Sequence, residues 1–124
     1  MILFLVTISA ENKSKSQVFP EAICNLPKAD IKFDGITAYL SQSDTHQILF
    51  MESEKDIDFS EQAHSAHFGI VLEGKIDFMI DGKRQSYTRG DRYYITDGVK
   101  YTLKIHAGYA GITFFNEPNQ YSQK

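Results

Sequence analysis

From residue 36 onward, apolar positions recur with a period of two in short runs separated by glycine-bearing turns. The pattern predicts strands over Ile36–Leu40, His46–Glu52, His67–Leu72, Ile76–Ile80, Gln85–Tyr87, Arg92–Ile95, Lys100–Ile105 and Tyr109–Phe115, all rich in β-branched and aromatic residues. Between them lie Glu73-Gly74, Asp81-Gly82, Arg89-Gly90-Asp91, Asp97-Gly98 and Ala107-Gly108. Asp-Gly is a strong hairpin signal because both residues tolerate positive φ. Nothing after residue 36 has helical spacing, so an all-β sandwich or barrel is expected.

The alternation also assigns faces. Tyr101, Leu103 and Ile105 share one side of their strand, while Lys100, Thr102, Lys104 and His106 share the other, which turns His106 to solvent. Ile76, Phe78 and Ile80 likewise oppose Lys75, Asp77 and Asp81. Two strands are apolar on both sides: Ile48 and Phe50 oppose Leu49 and Met51, and Phe68, Ile70 and Leu72 oppose Val71. Their outer faces need cover, from the N-terminal segment or from a second copy, and a homodimer is expected.

Three segments follow: an N-terminal arm and strap over 1–33, a barrel over 34–116 and a C-terminal tail over 117–124. In the strap, Pro20 and Pro27 predict irregular chain with one short turn of helix. The apolar run Met1–Ala10 has no Lys or Arg before it and is too short to span a bilayer. It reads as a strand or arm packing on the barrel or a partner, joined through the polar stretch Glu11–Gln17.

At 124 residues, with 42% hydrophobic and 23% charged, the chain has the size and balance of one globular domain. The net charge of −3 and the scattered Lys and Arg leave no basic stripe, which argues against nucleic acid as a partner; no membrane partner is expected either. Cys24 is the only cysteine, so no intramolecular disulfide forms, and a reducing compartment, the cytoplasm, is the expected location. There is no nucleophile elbow, phosphate-binding loop or dinucleotide fingerprint. Glu73, Asp91 and Asp97 sit in turns, where backbone roles account for them.

The chemistry gathers in Glu61–Gly74, EQAHSAHFGIVLEG. His64 and His67 are three residues apart, and on a regular strand such positions face opposite ways. Both reach one ligand only if the chain bends at Ser65-Ala66.

GIVLEGKIDFMIDGK followed by GDRYYITDGVKYTLKI resembles the spine of the cupins, small jelly-roll β-barrels whose two motifs carry metal ligands into the barrel. The likeness covers roughly 34 to 116. The first motif is similar to H-x-H-x(3,4)-E-x(6)-G: His67 stands six residues before Gly74, at the place of the family's Glu, and Gln62 and His64 correspond to H-x-H with a shortened gap. In the second motif, G-x(5)-P-x-G-x(2)-H-x(3)-N, Gly90 and Gly98 hold their places. Thr96 replaces Pro, Tyr101 replaces His and Ile105 replaces Asn. The resemblance implies a cupin-type jelly-roll barrel with an N-terminal arm, and it makes Gln62, His64 and His67 the candidate metal ligands, with Glu61 and Tyr101 beside them. A divalent zinc, nickel, iron or manganese ion wants at least three protein ligands.

In such a barrel Phe68, Phe78, Tyr94, Tyr101, Tyr109 and Phe115 surround the cavity, with His46 at a strand start beside it. That lining suits a small organic molecule with a few polar anchors. Three readings stand: a binder of a small organic ligand, with or without a divalent metal; a metal-dependent isomerase, lyase or dioxygenase using His64 and His67; and a barrel filled by its own side chains. Whether a reaction is catalysed stays open at this level.

Overall fold

Nine strands and one turn of helix make up the computed structural model, which describes residues 18–124. The expected arm over Met1–Ala10 and its polar joint lie outside the described residues. The strands are β1 Ile36–Gln42, β2 Gln47–Ser53, β3 Ile57–Ala63, β4 His67–Glu73, β5 Lys75–Ile80, β6 Lys83–Thr88, β7 Arg92–Ile95, β8 Lys100–Ile105 and β9 Ala110–Phe115. They form two antiparallel sheets, in the orders β1-β2-β9-β4-β7 and β3-β8-β5-β6. Successive segments alternate between the sheets, so their apolar faces meet in a jelly-roll sandwich.

Eight of these strands fall where the alternation puts them, and Asp81 and Gly82 both take positive φ at the β5–β6 hairpin, 51° and 75°. β3 is an addition. Of its seven residues only Ile57 is buried, and its ladder to β8 shifts register between Phe59 and Gln62, so the apolar signal is too thin for a period to show.

The strap is as irregular as expected. Pro20 opens the single turn α1, Glu21–Cys24, by accepting from the amides of Ile23 and Cys24. Phe19 packs edge-on against Tyr39 and Phe50, with ring centres 6.2 Å and 5.8 Å away, covering the outer face of β1 and β2. Among the described residues no other segment covers that face. Ile48, Phe114, Phe68 and Tyr94 are in register across β2, β9, β4 and β7, and Phe114, Phe68 and Tyr94 keep 39%, 42% and 63% of their surface exposed.

The main core lies between the sheets, where Val71, Ile76, Phe78, Tyr93, Tyr101 and Ile105 meet. A second cluster, Ala29, Ala38, Leu40, Leu49 and Phe115, joins the strap to the first sheet. On the outer face of the second sheet Asp77 accepts from the Ser86 hydroxyl and pairs with His106 Nε2 at 2.7 Å. His106 is thus outside the barrel, though half-covered by its partner.

The tail does not trail into solvent. The Ala29 region bridges Gln123, the Lys124 amide donates to Lys28 O at 2.8 Å, and the Asp30 amide donates to Ser122 O at 2.9 Å. Gln47, completely buried, clamps Tyr121 from both sides: its Nε2 donates to Tyr121 O at 2.9 Å and its Oε1 accepts from the Tyr121 amide at 3.0 Å. Among the described residues no helix is long and apolar enough to cross a membrane.

Candidate functional site

β3 belongs to one sheet and β4 to the other, so the chain must cross the barrel between Ala63 and His67. That crossing supplies the bend that residues three apart need. The Gly98 amide donates to His64 O at 3.2 Å and the Asn116 amide to Ala66 O at 3.0 Å, pinning the crossing backbone at both ends. Both imidazoles line the cavity between the sheets, at right angles to one another with centres 6.2 Å apart. The turn has one cost: Ser65 Oγ is buried with no hydrogen-bond partner.

Hydrogen bonding assigns the two rings opposite tautomers. Gln62 Oε1, 3.0 Å from His64 Nε2, only accepts, so Nε2 carries the proton. The Gln120 amide nitrogen only donates, so His64 Nδ1 is the acceptor there. Both nitrogens of His64 are engaged. In His67, Nδ1 donates to Ser65 O at 3.1 Å, which leaves the Nε2 lone pair without a partner among the described residues. Burial holds both rings below the ordinary histidine pKa, and the neighbouring His64 adds to the effect on His67, so both are neutral near pH 7.

The cavity has a volume of about 50 Å³. A single buried water needs ~10–15 Å³ on this scale, so there is room for several waters. Its walls are Phe59, Phe78, Tyr93, Tyr101, Phe115 and Tyr121 with Leu49, Met51, Ile76, Leu103 and Ile105, and among the described residues no Asp, Glu, Lys or Arg lines it. Tyr93 shares hydrogen bonds with Thr113, at 3.3 Å, and with Tyr109. Tyr101 finds no hydrogen-bond partner; burial pushes its phenol far above the ordinary value, and that of Tyr121 up to about 12.

Of the residues singled out from sequence, Gln62, His64, His67, Phe78, Tyr101, Tyr109 and Phe115 line this cavity. Three do not. Phe68 and Tyr94 stand on the outer face, because their register partners Phe114 and Ile48 point outward, and Tyr93 is the inward member of its pair. His46 stacks on Phe114 on that same outer side, 4.7 Å between ring centres and 15° from parallel, with Nδ1 bonded to Ser43 and Thr45. Sequence reasoning also missed Gln120 and Tyr121, which lie in a polar tail without any period. Gln47 was detectable, since it shares parity with inward Leu49 and Met51.

The donor set does not fit a metal ion. His64 has no free lone pair, Gln62 Oε1 is committed to His64, Tyr101 stays protonated, and His67 Nε2 is a single ligand. Among the described residues no group of three or more His, Cys, Asp or Glu is gathered to hold an ion.

No family model matches the chain and no curated protein matches it. Solved structures do. An RmlC-like cupin from Shewanella frigidimarina superposes with a TM-score of 0.64 at 18% identity, over 76% of this chain and 86% of its own. A cupin superfamily protein from Desulfitobacterium hafniense gives 0.63 at 12% identity, over 71% and 83%. KdgF from a Halomonas species gives 0.63 at 12%, over 74% and 86%. Two antiparallel sheets in jelly-roll order, matched at this level by cupin after cupin, identify the fold of this chain as that of the cupin superfamily.

Proposed function

We propose that this chain binds a small organic molecule between its sheets without a metal, with His67 as the principal polar anchor. The observation that carries the reading is the unpaired Nε2 of His67, lining an aromatic cavity from which ionised groups are absent. A neutral imidazole in such an apolar setting is a strong acceptor. The metal-dependent isomerase, lyase or dioxygenase reading requires Gln120 to give up His64 Nδ1, and even then two histidines fall short of a first coordination shell. Binding is therefore favoured over turnover.

Methyl NMR spectra of the full chain, recorded while uncharged fragments are added, test the reading together with elemental analysis. Shifts centred on Leu49, Met51, Ile76, Leu103 and Ile105, with metal well below one equivalent, are expected. No response to any fragment, alongside one equivalent of a transition metal that disappears in the His64→Ala/His67→Ala double variant, would overturn it.

A further inference from the structure

We propose that the ligand is a small, uncharged planar ring bearing its own hydrogen-bond donor, of the azole type, which donates to His67 Nε2 and accepts from the Tyr101 hydroxyl. This rests on the cavity being a binding site, and it adds the chemical class.

Four observations converge on it. The first is charge: among the described residues no ionised side chain lines the cavity, so a carboxylate, phosphate or ammonium would be stripped of water with none of them to compensate it. The second is hydrogen-bond polarity. Because the Ser65 carbonyl takes the proton side of His67, the side left over is an acceptor, and an acceptor selects a donor. The third is the Tyr101 hydroxyl, which has no hydrogen-bond partner among the described residues; its ring lines the same cavity as His67, with ring centres 5.8 Å apart, so both side chains border one ligand. Phe78, 5.4 Å from Tyr101 and 4.8 Å from Tyr93, together with Phe115, 4.9 Å from His67, makes the walls aromatic. Such walls favour a flat ring over a bulky aliphatic. The fourth is size, since a cavity of about 50 Å³ rules out a sugar or a nucleotide and restricts a ring ligand to the smallest kind.

Pyrazole combines these features: a five-membered ring, neutral, with an N–H donor beside an acceptor nitrogen. Its comparison with three relatives isolates each one. 1-Methylpyrazole keeps the ring and the acceptor but lacks the donor, thiophene keeps only the ring, and pyrazole-4-carboxylate adds a charge. Binding to the full chain near pH 7 is read from the cavity methyl resonances.

Pyrazole is expected to bind about tenfold more tightly than 1-methylpyrazole, the order of effect of one well-placed hydrogen bond. The carboxylate should not bind detectably. In His67→Leu the two pyrazoles should become equal while thiophene still binds. Tyr101→Phe, a milder change should the histidine variant fail to fold, should weaken both pyrazoles and preserve their ratio.

Equal binding of pyrazole and 1-methylpyrazole to the unaltered chain, with thiophene bound, would remove the proposed ligand class and leave the binding cavity standing. Tightest binding by the carboxylate would do the same. If none of the four molecules shifts the cavity methyls, the binding site itself is refuted, and the ligand class with it.

Discussion

The hydroxyl end of the Tyr93 ring lies against the bare backbone of Gly69, its partner across the β4–β7 ladder, so closely that a Cβ on residue 69 would come within 2.1 Å of Tyr93 Cζ. This gap in β4 is what lets a tyrosine turn inward, reach Thr113 and form one wall of the cavity. Gly111 makes the same allowance for Tyr109. Gly69→Ala should therefore cost ~1–3 kcal/mol in urea denaturation, the usual penalty for overpacking a core. The cost should persist with Tyr93→Phe, which keeps the ring, and nearly vanish with Tyr93→Val, which removes it. An equal cost in both backgrounds would place the problem elsewhere.

That pair also shows where reading the sequence stops. In β8 the parity of Tyr101, Leu103 and Ile105 against Lys100, Thr102 and Lys104 is unambiguous, and the residues face as the pattern says. In β7 the four residues Arg92–Ile95 carry adjacent tyrosines, and either assignment looks apolar. Only the partner strand, with a glycine at 69 and a phenylalanine at 68, decides that Tyr93 goes in and Tyr94 out. The histidine pair was identifiable by chemistry. Its tautomers were not, because Gln120 approaches His64 from 56 residues away through a tail with no hydrophobic period. Period-two reasoning finds elements that bury one face; it does not see segments held by side-chain amides.

Gln47 is the residue through which the tail can be tested. Its side chain is wholly buried, donates to Gln42 Oε1 at 2.7 Å and to Tyr121 O, and accepts from the Tyr121 amide. Gln47→Leu has nearly the same shape but strands those partners, each at ~1–3 kcal/mol if it stays buried. A loss of ~2–4 kcal/mol is expected. The informative measurement is hydrogen exchange: the Tyr121 amide should lose its protection while amides of β4 and β9 keep theirs. Protection retained at Tyr121 would mean that Gln47 does not hold the tail.

Ser65 predicts a change of the opposite sign. Its buried hydroxyl lacks a partner, whereas its carbonyl holds His67 Nδ1. Ser65→Ala discards the first and keeps the second, so thermal unfolding should show a gain of up to ~1 kcal/mol, since an unsatisfied buried polar group is a net cost. Ligand binding should be unaltered. A marked loss of stability would reveal a partner for the hydroxyl.

The same burial that keeps His64 and His67 neutral makes the protein sensitive to mild acid. The unfolded chain protonates its histidines at about pH 6.5, whereas in the folded chain desolvation lowers the value for both. Below about pH 6.5 the unfolded state therefore binds more protons, and stability falls with falling pH until the folded state protonates as well. Asp77 acts lower on the scale. Burial alone would raise its pKa, but its bonds to Ser86 and His106 more than offset this and hold it below 3.8, so its contribution is intact above that value and is lost as pH drops through the lowered one. The urea midpoint should thus be level above about pH 7, decline below about 6.5, and fall again below about 4. In His67→Leu the first decline should shrink while the second stays. A midpoint that does not move through the first of these windows would mean the two imidazoles are hydrated, and the cavity they line would then be open to water as well.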